Sequence, residues 1–380
     1  MRIARLMVVL VALAFFASCG VEASRAPLVQ EGSVPSIGIV LDVGGRADLA
    51  SNMLAYQGLL QFVREQRGRI IGDDSAAFGT NVDVYVLELR DAAANREALV
   101  RSLADEGRNL VIALGFLFSD SMATVARDYP RTDFLLVDGH VPDLSARSNL
   151  ACVQFAEHEA AFIVGAYAGL YAAREAQGSK LGFVGGMDLP ITQKYLSGFS
   201  AGAATTNPVL RPTGSVLYAF VDRSANAYTD PKRASEFASV LYQQGGSALV
   251  FAAAGASNRG VAESAERFGR KLIGADADLR KAYADSDDPA LNALSGLVLG
   301  SALKRVDRAI YEPCKDLMDG FRLVGGYKSY DLANGGVGYL IPELNADDAA
   351  LLTTLAERLK RGELAVPTNS GALADYIQSL

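Results

Sequence analysis

The chain has 380 residues, a formal net charge of -7, 50% hydrophobic residues and 21% charged residues. That length exceeds one ordinary hydrophobic core and predicts two lobes, while the apolar content excludes disorder for most of the chain. The acidic balance argues against a nucleic-acid binder, and 2 His with 3 Cys leave little material for a zinc site or a histidine-based triad.

The first segment reads as an export signal. Arg2 and Arg5 precede an apolar run from Leu6 to Phe16. A bilayer span needs about 20 residues, so this run fits a signal-peptide core instead. Phe16-Ala17-Ser18-Cys19 resembles a bacterial lipobox, with Phe16 where Leu is usual. Residues 1–18 are therefore expected to be a signal peptide, Cys19 the lipidation site and residues 19–34 a tether. Cys152 and Cys314 sit in apolar contexts and are expected to be free buried thiols.

Strands and helices then alternate. Strands are expected at 36–41, 82–89, 110–114 and 134–137, with helices at 51–67, 92–106 and 119–128 between them. The pattern starts again with helices at 157–174, 190–203, 232–244 and 260–268 and strands at 180–184, 215–220, 248–251 and 271–274. One more strand (297–303), one more helix (304–318), a Gly- and Tyr-rich stretch of short strands or a hairpin (325–340) and a terminal helix (346–361) follow. Such alternation implies α/β lobes built on parallel sheets with right-handed crossovers. The first lobe is expected over 35–154 and about 297–325, the second over about 155–296 and about 326–380.

The strand ends carry one residue class. They are Asp42-Val43-Gly44-Gly45, Gly115-Phe116 with Asp120 nearby, Asp138-Gly139, Gly185-Gly186, Ala254-Gly255 and Gly274-Ala275-Asp276. Ligands bind beyond the carboxyl ends of strands in open α/β sheets. Glycines let backbone come close, and each carboxylate accepts several hydrogen bonds from hydroxyls or ring N–H groups. Two such rims facing each other make a hinged ligand trap. Singly, such an Asp is more often a helix cap or turn residue; the case rests on the set.

Rival motifs carry less. Gly198-Phe199-Ser200-Ala201-Gly202 spells G-x-S-x-G, but it lies inside a helix, and both His140 and His158 precede Ser200. Small residues packing that helix against the sheet explain the string. The ATP-binding pattern G-x-x-x-x-G-K-[ST] is absent from the sequence. His140 reads as a loop residue. No catalytic residue, metal site or cofactor is expected.

Several stretches together resemble the basic membrane protein family of lipoprotein substrate-binding proteins. They are LDVGGRADLASNMLAYQGL (41–59), LGFVGGMDLPITQKYLSGFSAGA (181–203), VFAAAGASNRGV (250–261), IGADADL (273–279) and GSALKRVDRAIY (300–311). The resemblance implies a two-lobed periplasmic-binding-protein-like fold of type I and a receptor for an ABC importer. It also implies a nucleoside ligand, in this case a purine. In the family's first loop, DVGGxDDKSFNQ, the Asp and Asn positions correspond to Asp42, Asp48 and Asn52. Ser51 stands where the family has a Phe that stacks on the base, which removes half of an aromatic sandwich; Phe116 and Tyr56 are the candidates to compensate. Asp120 matches a ligand-facing carboxylate, Tyr228 the second stacking ring and Gly255 a close-approach glycine. Asp276 matches the carboxylate that accepts ribose hydroxyls, and Lys304 a lysine near the sugar. The expected partners are a nucleoside-like ligand, an ABC permease and, through the lipid, a bacterial cell membrane, with the protein facing the periplasm or exterior. A receptor for a sugar or signalling ligand, or a surface adhesin on the same fold, remains the alternative.

Overall fold

The computed structural model describes residues 28–175 and 180–380, so the signal segment and Cys19 lie outside the described residues. In chain order the main elements are β1 (Ser36–Leu41), α1 (Ser51–Glu65), β2 (Arg69–Ile70), β3 (Asp83–Glu88), α2 (Arg96–Asp105), β4 (Leu110–Leu114), α3 (Ser119–Asp128), β5 (Asp133–Val137) and β6 (Leu150–Phe155). They continue with α4 (Glu157–Glu175), β7 (Lys180–Gly185), α5 (Pro190–Thr206), β8 (Val216–Phe220), α6 (Pro231–Gln243), β9 (Ser247–Ala253), α7 (Asn258–Arg267) and β10 (Lys271–Asp276). The last are α8 (Leu279–Ala284), α9 (Pro289–Leu294), β11 (Val298–Lys304), α10 (Val306–Met318), β12 (Gly326–Tyr330), β13 (Val337–Leu340), α11 (Ala346–Lys360) and α12 (Ser370–Gln378).

Two sheets result. The first is parallel throughout, in the order β12-β6-β5-β4-β1-β3-β2. The second runs β13-β11-β10-β9-β7-β8 and is parallel except where β13 pairs antiparallel with β11. The central strands β4, β5 and β9 are buried along their whole length. Helices cover both faces of such sheets, so their strands are apolar runs without alternation. Asn95, Asp230, Asp278 and Asp288 each accept a backbone N–H at a helix start, which satisfies donors the helix itself cannot.

The strand pairing redraws the boundary between lobes. Strand β11 pairs with β10 in the second sheet, although residues 297–304 were expected in the first lobe. Strand β12 pairs with β6 in the first sheet, although residues 326–330 were expected in the second. Residues 325–340 are therefore not a hairpin: β12 and β13 belong to different sheets, and the chain between them crosses lobes. It also crosses between β6 and α4 and between β11 and α10. Local sequence pattern does not report which of two similar sheets a strand joins. Strand β6 and the short helices α8, α9 and α12 were not expected either.

The G-x-S-x-G string packs helix on helix rather than helix on sheet. A Cβ at Gly198 would stand 2.3 Å from the His158 carbonyl oxygen on α4, and one at Gly202 1.9 Å from that of Phe162. Cys152 and Cys314 are both free and buried.

Candidate functional site between the lobes

The carboxyl ends of the two sheets face each other across a cleft. Asp42, Asp48, Ser51, Asn52, Phe116, Tyr228, Gly255, Asp276 and Lys304 all line it. Asp120 is the exception: it sits exposed in the first turn of α3, outside the lining. The turn Phe116–Phe118 separates it from the strand end.

On the first lobe, the polar side chains mostly hold the loop itself. Asp48 is buried and accepts the N–H groups of Ala50 (2.8 Å), Asn52 (3.0 Å) and Met53 (3.0 Å) at the start of α1. Burial pushes its carboxyl up to about 6, against the pull of those three donors. Asn52 accepts the Asp42 N–H at 3.0 Å and donates to the Val43 carbonyl at 3.2 Å, which pins the end of β1 to α1. Asp42 receives the Val43 N–H and the Arg96 guanidinium through one oxygen, each at 2.8 Å. Its other oxygen faces Gly115, where a Cβ would stand only 2.7 Å away. Gly115 has φ +117, a conformation glycine adopts freely. The exposed ring of Phe116 stands at the cleft.

The second lobe presents its polar groups to the cleft. Asp276 ends β10 with φ +67, a backbone conformation that non-glycine residues adopt only when their surroundings enforce it. The Tyr195 hydroxyl donates to its Oδ1 at 2.6 Å, and Lys304 Nζ lies 3.8 Å from the same oxygen. The Ser51 hydroxyl reaches across from the first lobe and donates to Oδ2 at 3.1 Å. Lys304 is itself a junction between lobes. Its ammonium lies 2.7 Å from Asp138 and 3.6 Å from Glu157, and 5.1 Å from the centroid of the Phe155 ring. Burial alone would lower its pKa, but Asp138, Asp276 and Glu157 outweigh that and keep the amine charged. Burial raises Asp138 to about 6, opposed by Lys304. Burial and the neighbouring Asp276 hold the Tyr195 phenol well above its ordinary value, so it remains a donor.

One aromatic ring is built into this lobe by glycines. A Cβ at Gly186 would collide with the Tyr228 ring at 2.3 Å, and Gly255 with φ +58 lies against the same residue. Burial raises the Tyr228 phenol to about 12. Leu114, Leu117, Met187, Leu189 and Ile191 complete the lining with apolar surface.

Sequence reasoning passed over Tyr195, Met187 and the pairing of Asp138 with Lys304. Tyr195 was findable: Ile191, Thr192 and Tyr195 recur at helical spacing on one face of α5 within the stretch that carries the resemblance. Asp138 stood among the strand-end carboxylates, but nothing local announced its pairing with a lysine 166 positions later.

Two parallel-sheet lobes joined by three crossings, with a cleft between their strand ends, define a periplasmic-binding-protein fold. Residues 36–369 match the Bmp family, described as ABC transporter substrate-binding protein, PnrA-like, and the chain belongs to that family. It is 24% identical over 87% of its length, and 88% of the relative's, to the ABC transporter nucleoside-binding protein BmpA of Lactococcus lactis. It is 27% identical to an uncharacterized lipoprotein of Pyrococcus furiosus, over 88% of this chain and 75% of that one. Among solved structures it is similar to an ABC transporter solute-binding protein from Aeropyrum pernix, with TM-score 0.72 and 23% identity over 91% of this chain and 97% of that one.

Proposed function

We propose that this substrate-binding protein captures a purine nucleoside for an ABC importer while held on the outer side of the cell membrane by a lipid on Cys19. The observation that carries the nucleoside reading is the pairing, in one cleft, of the Asp276 carboxylate with the Tyr228 ring. Asp276 is braced by Tyr195 and lies near Lys304, yet a carboxylate offers about four acceptor positions and those partners occupy only some of them. The remainder suit the vicinal hydroxyls of a ribose. Tyr228 supplies a face on which a base stacks. Ser51, where the family's loop carries a Phe, contributes a hydroxyl to Asp276 rather than a second ring. The cleft thus grips the sugar from both lobes and stacks the base from one.

Binding requires no chemical step. Ligand bridges the two rims, the crossings between lobes act as the hinge, and the closed form engages the permease. A thermal-shift screen with nucleosides, free bases and sugars tests this reading, because a ligand at 100 times its Kd adds about 2.7 kcal/mol of stability. Purine nucleosides are expected to give the largest shift. A response to sugars alone transfers the site to the sugar-receptor reading, and silence toward every nucleoside overturns the proposal.

A further inference from the structure

The surface opposite the cleft on the first lobe has an unusual composition. All strands of this sheet are parallel, so the segments leading into β12, β6, β5, β4 and β1 lie side by side at one end. Phe321 and Val324 lead into β12 and are 65% and 71% exposed; Val34 leads into β1 and is also exposed. Arg147 and Arg131, which lead into β6 and β5, are exposed and make no ion pair among the described residues. The loop holding the two most exposed apolar side chains is fixed. Arg322 pairs with buried Asp133 at 2.6 Å, and the Leu323 N–H donates to the same carboxylate at 2.8 Å. Phe321 and Val324 therefore face water because their neighbours are anchored inward. Large apolar groups held rigidly in water beside free cations mark a contact surface.

The tether says what covers it. Leu28, the first described residue, arrives at this same end: its carbonyl accepts from Asn109 at 2.7 Å, and Asn109 in turn binds the N–H of Ser36 at 2.8 Å. Leu28, Val34, Arg131 and Arg322 line one groove there, together with Asp128, which pairs with Arg101, and Asp105, which accepts from the Tyr129 hydroxyl. Eight residues lie between Cys19 and Leu28, and the nine steps along the chain reach about 30 Å at full extension. A chain anchored at Cys19 keeps this end of the first lobe within about 30 Å of the bilayer.

We propose that the strand-entry end of the first lobe is a lipid-contact surface, with Phe321 and Val324 seated in the interfacial zone and Arg131 and Arg147 on anionic headgroups. The inference rests on the reading of Cys19 as the anchor point. Apolar side chains at the acyl boundary and basic ones at the headgroups add to a single lipid chain, which alone holds a protein only marginally. In this seating the first lobe is fixed on the membrane, and the second lobe, above the cleft, is the one that swings.

The sequence contains no tryptophan, so Phe321→Trp introduces a sole reporter. The mature chain is coupled through Cys19 to a maleimide lipid in vesicles of phosphatidylglycerol and phosphatidylethanolamine, some with brominated acyl chains. Tyr218→Trp, at a surface position on the second lobe, is the control. We expect a blue shift and roughly threefold stronger quenching for Phe321→Trp than for the control, reduced by adding Val324→Asp. Equal quenching at both positions, or water-like emission from Phe321→Trp on floating vesicles, overturns the inference. A shift that appears without vesicles and grows with protein concentration assigns the patch to a second copy and also overturns it. Hydrogen exchange of the unsubstituted chain gives an independent readout, with protection of 321–324 expected only on vesicles. Mass spectrometry of the native protein tests lipidation of Cys19 separately, so chemical coupling keeps the two readings distinguishable.

Discussion

The two walls of the cleft use similar residues for different work. On the first lobe, Asp48 and Asn52 line the site, yet their polar atoms bind backbone at the junction of β1 and α1. On the second lobe, Asp276 is held by side chains, Tyr195 and Ser51, in a backbone conformation that aims it into the cleft. Backbone donors consume a carboxylate's acceptors and fix a loop. Side-chain hydroxyls at one edge orient a carboxylate and leave acceptor positions for a ligand. A carboxylate at a strand end is thus not by itself a binding group; what already satisfies it decides.

The largest effect should come from removing the charge on the second wall. Asp276→Asn is expected to weaken nucleoside binding about hundredfold, since hydrogen bonds to a charged acceptor contribute about 1.5–3 kcal/mol. Calorimetry showing unchanged affinity would reject the assignment. Next comes the ring. Gly186→Ala drives a Cβ into Tyr228, and both it and Tyr228→Ala should cost about 1–2 kcal/mol of binding, because base stacking contributes on that scale. Nucleosides should suffer and free ribose should not.

Substitution on the first wall should separate stability from affinity. Asp48→Ala removes a cap from α1 and should cost about 1 kcal/mol of stability, read as a lower midpoint in urea, with affinity changed less than about twofold. The pH dependence has a defined sign. Asp48 titrates near 6 in the folded protein, above its ordinary value of 3.8. Its contribution to stability is therefore full below pH 4 and is lost as the pH rises through 6. Asp138, also raised to about 6, acts in the same window. Asp48→Asn should flatten the fall in stability between pH 4 and 6, and an unchanged profile would mean that Asp48 stays ionised. The smallest effect belongs to Ser51→Ala. Loss of its bond across the cleft should lower affinity about two- to threefold for nucleoside and ribose alike.

Much of this was legible in the sequence. The apolar runs at 36–41, 110–114 and 248–251 are buried in both directions, so they read as central strands without ambiguity. The glycine and aspartate strand ends pointed to the cleft because a parallel sheet gathers them at one edge. Strand membership after residue 297 was not legible, because β11 and β12 enter different sheets through pairings far away in the chain. The distinction between Asp48 and Asp276 was equally hidden. Both are Asp near a helix start, and only the positions of Ala50, Asn52 and Met53 against those of Tyr195 and Ser51 tell them apart. Asp120 misled for a related reason: one turn of helix carries it past the rim.

In the proposed function, Asp276 reads the ribose of a nucleoside. Its most direct test is calorimetry of the wild-type chain with a purine ribonucleoside and its 2′-deoxy counterpart, repeated with Asp276→Asn. The ribonucleoside is expected to bind about tenfold tighter than the deoxy form to the wild type, the worth of one hydrogen bond to a carboxylate, and the substitution to erase the preference. Equal affinity of the wild type for both nucleosides would contradict it.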